Sequence, residues 1–203
     1  MFNSRLIPAY AVLIGSVLTG CAATTPTQET QASYVIYDVK PSAGVGPGQI
    51  DAAIKGALQK TMSGVQITTG IPPSPLPDKP GRFALVNPMK NAGGLLGAMM
   101  QSVQIPTCDG AVLTANAQNS GMAEYGEHTA FFLCLLPYQG GYNIDIYTTF
   151  SKTSGGFSTQ ALGVALARSV VGDSSQLIPK TVQAVVKAVA DAGATTTLTS
   201  QYP

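Results

Sequence analysis

Residues 128–150 constrain the fold more than any other stretch of this chain. Phe131-Phe132-Leu133-Cys134-Leu135-Leu136 is apolar at every position, so a strand here has both faces covered and belongs inside a sheet. After Gln139-Gly140-Gly141, a turn sequence, the pattern changes. Tyr142, Ile144, Ile146, Thr148 and Phe150 alternate with Asn143, Asp145, Tyr147 and Thr149, the period of a strand with one covered face. With a third strand over residues 111–117, the region predicts an antiparallel meander whose middle member, residues 128–136, is central.

Other elements follow from their own periodicities. Tyr34, Val35, Ile36, Tyr37 and Val39 predict a strand over residues 33–40, which Pro41 stops. Ile50, Ala53, Ile54, Ala57, Leu58 and Met62 fall at helical spacing and predict a helix over residues 49–62 with Gly64 as its stop. A short strand is expected over residues 65–69. Prolines at 72, 73, 75, 77 and 80 exclude helix and interior strand from residues 71–81. A further strand is expected over residues 82–87. Ser158 is placed to cap a helix carrying Leu162, Ala165, Leu166 and Val170, with Gly172 at its end. A second helix follows Pro179 with Val182, Val185, Val186 and Val189 on one side and Gly193 as its stop. The Thr-rich tail after it either adds an edge strand or frays. This order predicts one α+β domain over residues 34–203, a mostly antiparallel β-sheet with helices packed on one face. At the level of fold alone it resembles the helix-grip domains found among envelope lipoproteins.

The start of the chain carries an address. One cation at Arg5, an apolar stretch from Leu6 to Leu18 and the run Leu18-Thr19-Gly20-Cys21 have the shape of an export signal. The apolar stretch, about 13 residues, is shorter than the roughly 20 that span a bilayer as a helix. The run before Cys21 resembles the lipobox of bacterial lipoproteins. That resemblance implies removal of residues 1–20, a diacylglyceryl thioether on Cys21 and acylation of its amino group. Ala22 stands where related lipoproteins of the inner membrane often carry aspartate, so the resemblance implies the outer membrane, periplasmic face. Residues 24–33 hold no large apolar side chain and read as a flexible tether, so the lipidated cysteine and tether are expected to occupy residues 21–33.

Loss of Arg5 with the signal leaves ten basic against ten acidic side chains. A neutral chain without a basic run offers no electrostatic case for nucleic acid. Charged residues are 10% of the chain, well under the roughly 25% usual in soluble domains, so the surface is either covered in part or solvated by Thr, Ser, Gln and Asn. With Cys21 acylated, Cys108 and Cys134 remain as an even pair in an oxidising compartment and are expected to form a disulfide. The alternatives are a reactive thiol at Cys108 or two buried reduced cysteines.

Catalytic patterns are sparse. Gly44-x-Gly46-x-Gly48 lies between a strand and a helix, but the third fingerprint position falls on Gln49 and Pro47 has no amide for a phosphate, which argues against a dinucleotide. His128 is the single histidine, so no multi-histidine metal site forms within one chain. A papain-like peptidase would need Cys108 as nucleophile and His128 as base, with Cys134 ready to oxidise the thiol. Glu124 and Glu127 share a loop and read as solvated. Tyr34, Tyr37, Tyr125, Tyr138, Tyr142 and Tyr147 supply aromatic surface without assigned faces. Within residues 93–100, Leu95, Leu96, Met99 and Met100 on a glycine-loosened segment form a partner-binding candidate; the alternative is a loop folded onto the core by the same side chains.

These observations point to a non-enzymatic envelope component without cofactor or metal. It is tethered to the membrane by its lipid and binds or scaffolds another envelope protein, or self-associates. A lipid or small apolar ligand-binding lipoprotein is the second reading and a cysteine-type cell-wall hydrolase the third.

Overall fold

A computed structural model describes residues 27–89, 104–119, 127–154 and 176–203. The elements run β1 (Thr27–Pro41), α1 (Pro47–Thr61), β2 (Gln66–Thr69), β3 (Ala84–Val86), β4 (Ile105–Thr107), β5 (Leu113–Asn119), β6 (Glu127–Tyr138), β7 (Gly141–Ser154), α2 (Leu177–Asp191) and β8 (Ala194–Tyr202). A six-stranded sheet has the order β2-β5-β6-β7-β1-β8, and every neighbouring pair in it is antiparallel. The α+β class, the antiparallel sheet and the central place of β6 agree with the reading of the sequence. The lipobox with Cys21, the helix expected after Ser158 and the Leu95, Leu96, Met99 and Met100 patch lie outside the described residues.

Both helices cover one face. Odd residues of β5 and β6 and even residues of β7 point to them, and Leu113, Leu133, Leu135, Ile144 and Ile146 form one core with Ile50, Ile54 and Leu58 of α1 and Val185 and Val189 of α2. The three aliphatic anchors of α1 are fully buried, each contributing about 1.5–3 kcal/mol on transfer from water. Pro47 begins α1, and the Gln49 side chain accepts the Gly46 N–H at 2.9 Å while the Gln49 N–H returns to the Gly46 carbonyl at 3.1 Å. Helix α1 carries the chain from β1 to β2, four strand spacings away. Its 15 residues give about 22 Å of rise against about 19 Å of sheet, so one helix of this length makes the crossing.

The other face is covered too, against the expectation from the alternation in β7. Asn143 and Asp145 are buried, together with Ile36, Cys134 and Leu136 on neighbouring strands. The cover is the excursion between β2 and β5. Phe83 packs between Tyr34 and Tyr147, with ring centroids 5.6 and 5.5 Å away, and its N–H donates to Asp145 Oδ2 at 2.8 Å. Arg82 Nε lies 3.7 Å from the same oxygen. Because Arg82 and Phe83 turn to the sheet, the strand expected over residues 82–87 shortens to β3, which pairs with β4 in a separate two-stranded ribbon.

One further expectation changes, and the tail resolves to one of its two alternatives. Residues 27–33, expected within a tether over residues 21–33, are strand instead: Thr27 to Ser33 pair residue by residue with Ser154 to Thr148, because a polar segment satisfies its amides in a ladder without needing an apolar core. The Thr-rich tail is an edge strand, with Ala194 opposite Pro41 and Leu198 opposite Tyr37.

Candidate functional site

An apolar concavity sits at one pole of the sheet, between the start of α1 and the ends of β2, β6 and β7, with a volume of about 510 Å³. Its floor is Leu135 and Pro137 of β6 with Tyr142 of β7, and its wall is the proline-rich chain from Pro72 to Leu76. Two contacts hold the wall. Gly70 donates to the Val112 carbonyl at 2.9 Å, where a Cβ would meet the Ala111 carbonyl oxygen at 2.2 Å, so glycine is required. Farther on, Gln139 N–H donates to the Pro77 carbonyl at 3.0 Å, and the Gln139 amide also bonds Asp78. Proline carries no N–H, so a wall built from Pro72, Pro73, Pro75 and Pro77 needs few hydrogen-bond partners and can stay apolar where it meets the cleft.

One carboxylate reaches this cleft. Asp51 binds Lys55 Nζ through Oδ2 at 2.7 Å, and the same ammonium donates to Thr69 Oγ1 at 3.1 Å. Asp51 Oδ1 is buried with no hydrogen-bond partner. Burial pushes the Tyr142 phenol above its ordinary pKa, so the hydroxyl stays neutral. The cleft thus offers aliphatic and proline surface and a neutral phenol, a composition suited to binding apolar groups.

Cys108 and Cys134 are joined at disulfide distance, with Cα atoms 6.2 Å apart, and the bond ties the returning excursion to the covered second face. His128 is exposed at the far end of β6, six residues and about 20 Å from Cys134. The structure therefore does not bring the Cys108 and His128 pair together. Glu127 is buried rather than solvated, with Lys152 as its register partner, while Glu124 lies outside the described residues. Leu85, Val86 and Ile105 of the β3–β4 ribbon are exposed at 38%, 41% and 46%.

Asp145 is the strongest departure from the sequence reading. Burial holds its carboxyl above the usual value, opposed by the Phe83 N–H, the Arg82 guanidinium and Asn143. It anchors the excursion. At the pole, Tyr138 donates to Asp38 Oδ1 at 2.5 Å and accepts from Lys40, which clamps the β6–β7 turn onto β1. Of the cleft residues, Asp51, Leu76 and Leu135 escaped sequence reasoning as site residues, and Tyr142 entered it only as aromatic surface without an assigned face. The one signal that pointed to them was the proline density of residues 72–80, a stretch that must form a wall or a loop.

Among the described residues there is no group of three or more His, Cys, Asp or Glu placed to hold a metal ion, and no helix long and apolar enough to cross a membrane. Comparison with known proteins finds no matching family model and no matching curated protein.

Proposed function

We propose that this protein is a non-enzymatic lipoprotein of the bacterial outer membrane, anchored on the periplasmic face through acylated Cys21, whose domain binds an envelope partner. The observation that carries this reading is the apolar cleft of about 510 Å³ behind the pinned proline wall. A partner would insert an apolar segment against Leu76, Leu135 and Tyr142. The short tether supports a domain held close to its membrane: six residues from Cys21 to Thr27 reach at most about 20 Å.

A small apolar or lipid ligand in the same cleft is the second reading, favoured by a volume within the roughly 300–1,000 Å³ of small-molecule sites. The hydrolase reading loses support, because Cys108 is paired with Cys134 and stands far from His128. One experiment separates the first two. A photo-crosslinking residue at Leu76 in the intact, membrane-anchored protein is expected to capture an envelope polypeptide. Capture of lipid alone supports the second reading, and no Leu76-dependent adduct sinks both. A product unlabelled by palmitate and recovered from the cytosol would sink the anchor.

A further inference from the structure

The sheet protects its edges unequally. Edge strand β2 is four residues long, is followed by Pro72 and Pro73, and has Lys55 bound to Thr69 at its end. The half of β1 that β8 does not reach carries Glu29. Short length, proline and inward or flanking charge are the devices that keep a sheet edge from pairing with another chain. Strand β8 has none of these over its regular part. Its nine residues, Ala-Thr-Thr-Thr-Leu-Thr-Ser-Gln-Tyr, include no charge and, from Thr195 to Thr199, four threonines of high β-propensity around Leu198. The one irregularity, where Thr199 Oγ1 donates to the Ile36 carbonyl at 3.1 Å, comes after the run Ala194–Leu198 and leaves that run straight. Leu198 is 46% exposed. No strand lies beyond β8 among the described residues.

The helix beside this edge repeats the pattern. Lys187 and Asp191 of α2 line a groove with Lys60 of α1, on the flank toward that helix. The opposite flank, by helical periodicity, presents Pro179, Val182, Val186 and Ala190, all exposed or half-buried and all uncharged.

We infer that β8 is a self-association edge: a second copy of this chain adds antiparallel to it, giving a continuous twelve-stranded sheet with the two α2 helices side by side. The occupant is argued from charge. A two-fold axis normal to the sheet sets β8 against β8 and the outer flank of α2 against the same flank of its copy, so any charge there would meet its like. Strand β8 and the outer flank of α2 carry no charge, and the two charges of the β1 half that β8 covers, Asp38 and Lys40, opposite Thr197 and Thr195, are bound to each other and to Tyr138. The same axis points the two Thr27 ends in opposite directions along the sheet, so both short tethers reach one bilayer when the sheet lies along it.

The test is sedimentation of the full chain in density-matched detergent, with three forms compared: unaltered, Thr197→Lys and Thr197→Glu. The unaltered chain is expected to be dimeric at micromolar concentration. Each charged variant should dimerise about ten-fold more weakly or worse, since the substitution enters twice across the axis. An equimolar mixture of the two variants should dimerise again, which a merely unfolded edge would not do. A monomer at all concentrations, or a dimer indifferent to either charge, overturns the inference. A monomer whose β8 amides resist hydrogen exchange overturns it as well, by assigning the edge to another segment of the same chain. None of these readings depends on what the cleft binds.

Discussion

Breaking the Cys108–Cys134 bond is expected to destabilise the domain by about 3.5 kcal/mol. The bond closes a segment with a sequence separation of 26, and a loop of that length removes about 12 cal/mol/K from the unfolded chain, which is about 3.5 kcal/mol at 25 °C. For a domain of this size the loss lowers the melting temperature by roughly 7–14 °C. The assay is urea unfolding of one preparation with the bond intact and with it reduced, because reduction leaves both sulfurs in place and adds no cavity at the fully buried Cys134. The slope against urea should rise on reduction, since a cross-linked unfolded chain exposes less surface. The Phe83 amide should stay protected from exchange, because its bond to Asp145 is independent of the sulfurs. A reduced protein within about 1 kcal/mol of the oxidised one would refute the argument that this loop constrains the unfolded state.

Two other substitutions test the covered face and the hairpin. Asp145 has a folded pKa raised above its ordinary value, chiefly by burial, so its proton is held more tightly in the folded state. The sign follows: stability is greatest below the unfolded pKa and falls as pH rises through the folded one. Asp145→Asn keeps an acceptor for Phe83 N–H and should remove that decline, seen as a urea midpoint independent of pH in this window; an unchanged decline would assign it to another group. Gly141 opens β7 at φ 141°, where a Cβ would meet the Val39 carbonyl oxygen at 2.2 Å. Gly141→Ala should therefore cost roughly 2 kcal/mol or more in thermal or urea unfolding, and a neutral result would contradict the close approach.

What the sequence made legible is what local periodicity encodes. The six-residue apolar run of β6 placed that strand in the interior of the sheet, and the alternation of β7 named its helix-side residues correctly, because both patterns record which faces lose water. The fate of the alternate residues was not readable from the strand. Asp145 looks like any outward polar residue until Phe83, 62 positions away, closes over it and supplies a backbone donor. A solvent-facing aspartate and a buried anchor differ only in what a distant loop does. The same holds for residues 27–33, whose polar composition suits a tether or a strand equally, and the outcome turns on β7 extending far enough to pair with them.

The cleft shows the same logic in the opposite direction. Five prolines between 72 and 80 exclude regular structure, and exclusion alone says nothing about where the chain goes. Its path is decided at Gly70 and Gln139, two contacts with residues far along the chain, which turn a structureless run into the wall of an apolar cavity. Proline is suited to that wall because it can face a dry surface without an unsatisfied N–H, so the property that hid the segment from secondary-structure reasoning is the one that lets it line an apolar cleft. With the photo-crosslinking residue moved to Ser74, filling the cavity from the wall side with Leu76→Trp is therefore expected to leave the fold intact and remove capture at the cleft. Undiminished capture of the same partner from Ser74 with the cavity filled would show that the partner does not need the cavity and end the case for it.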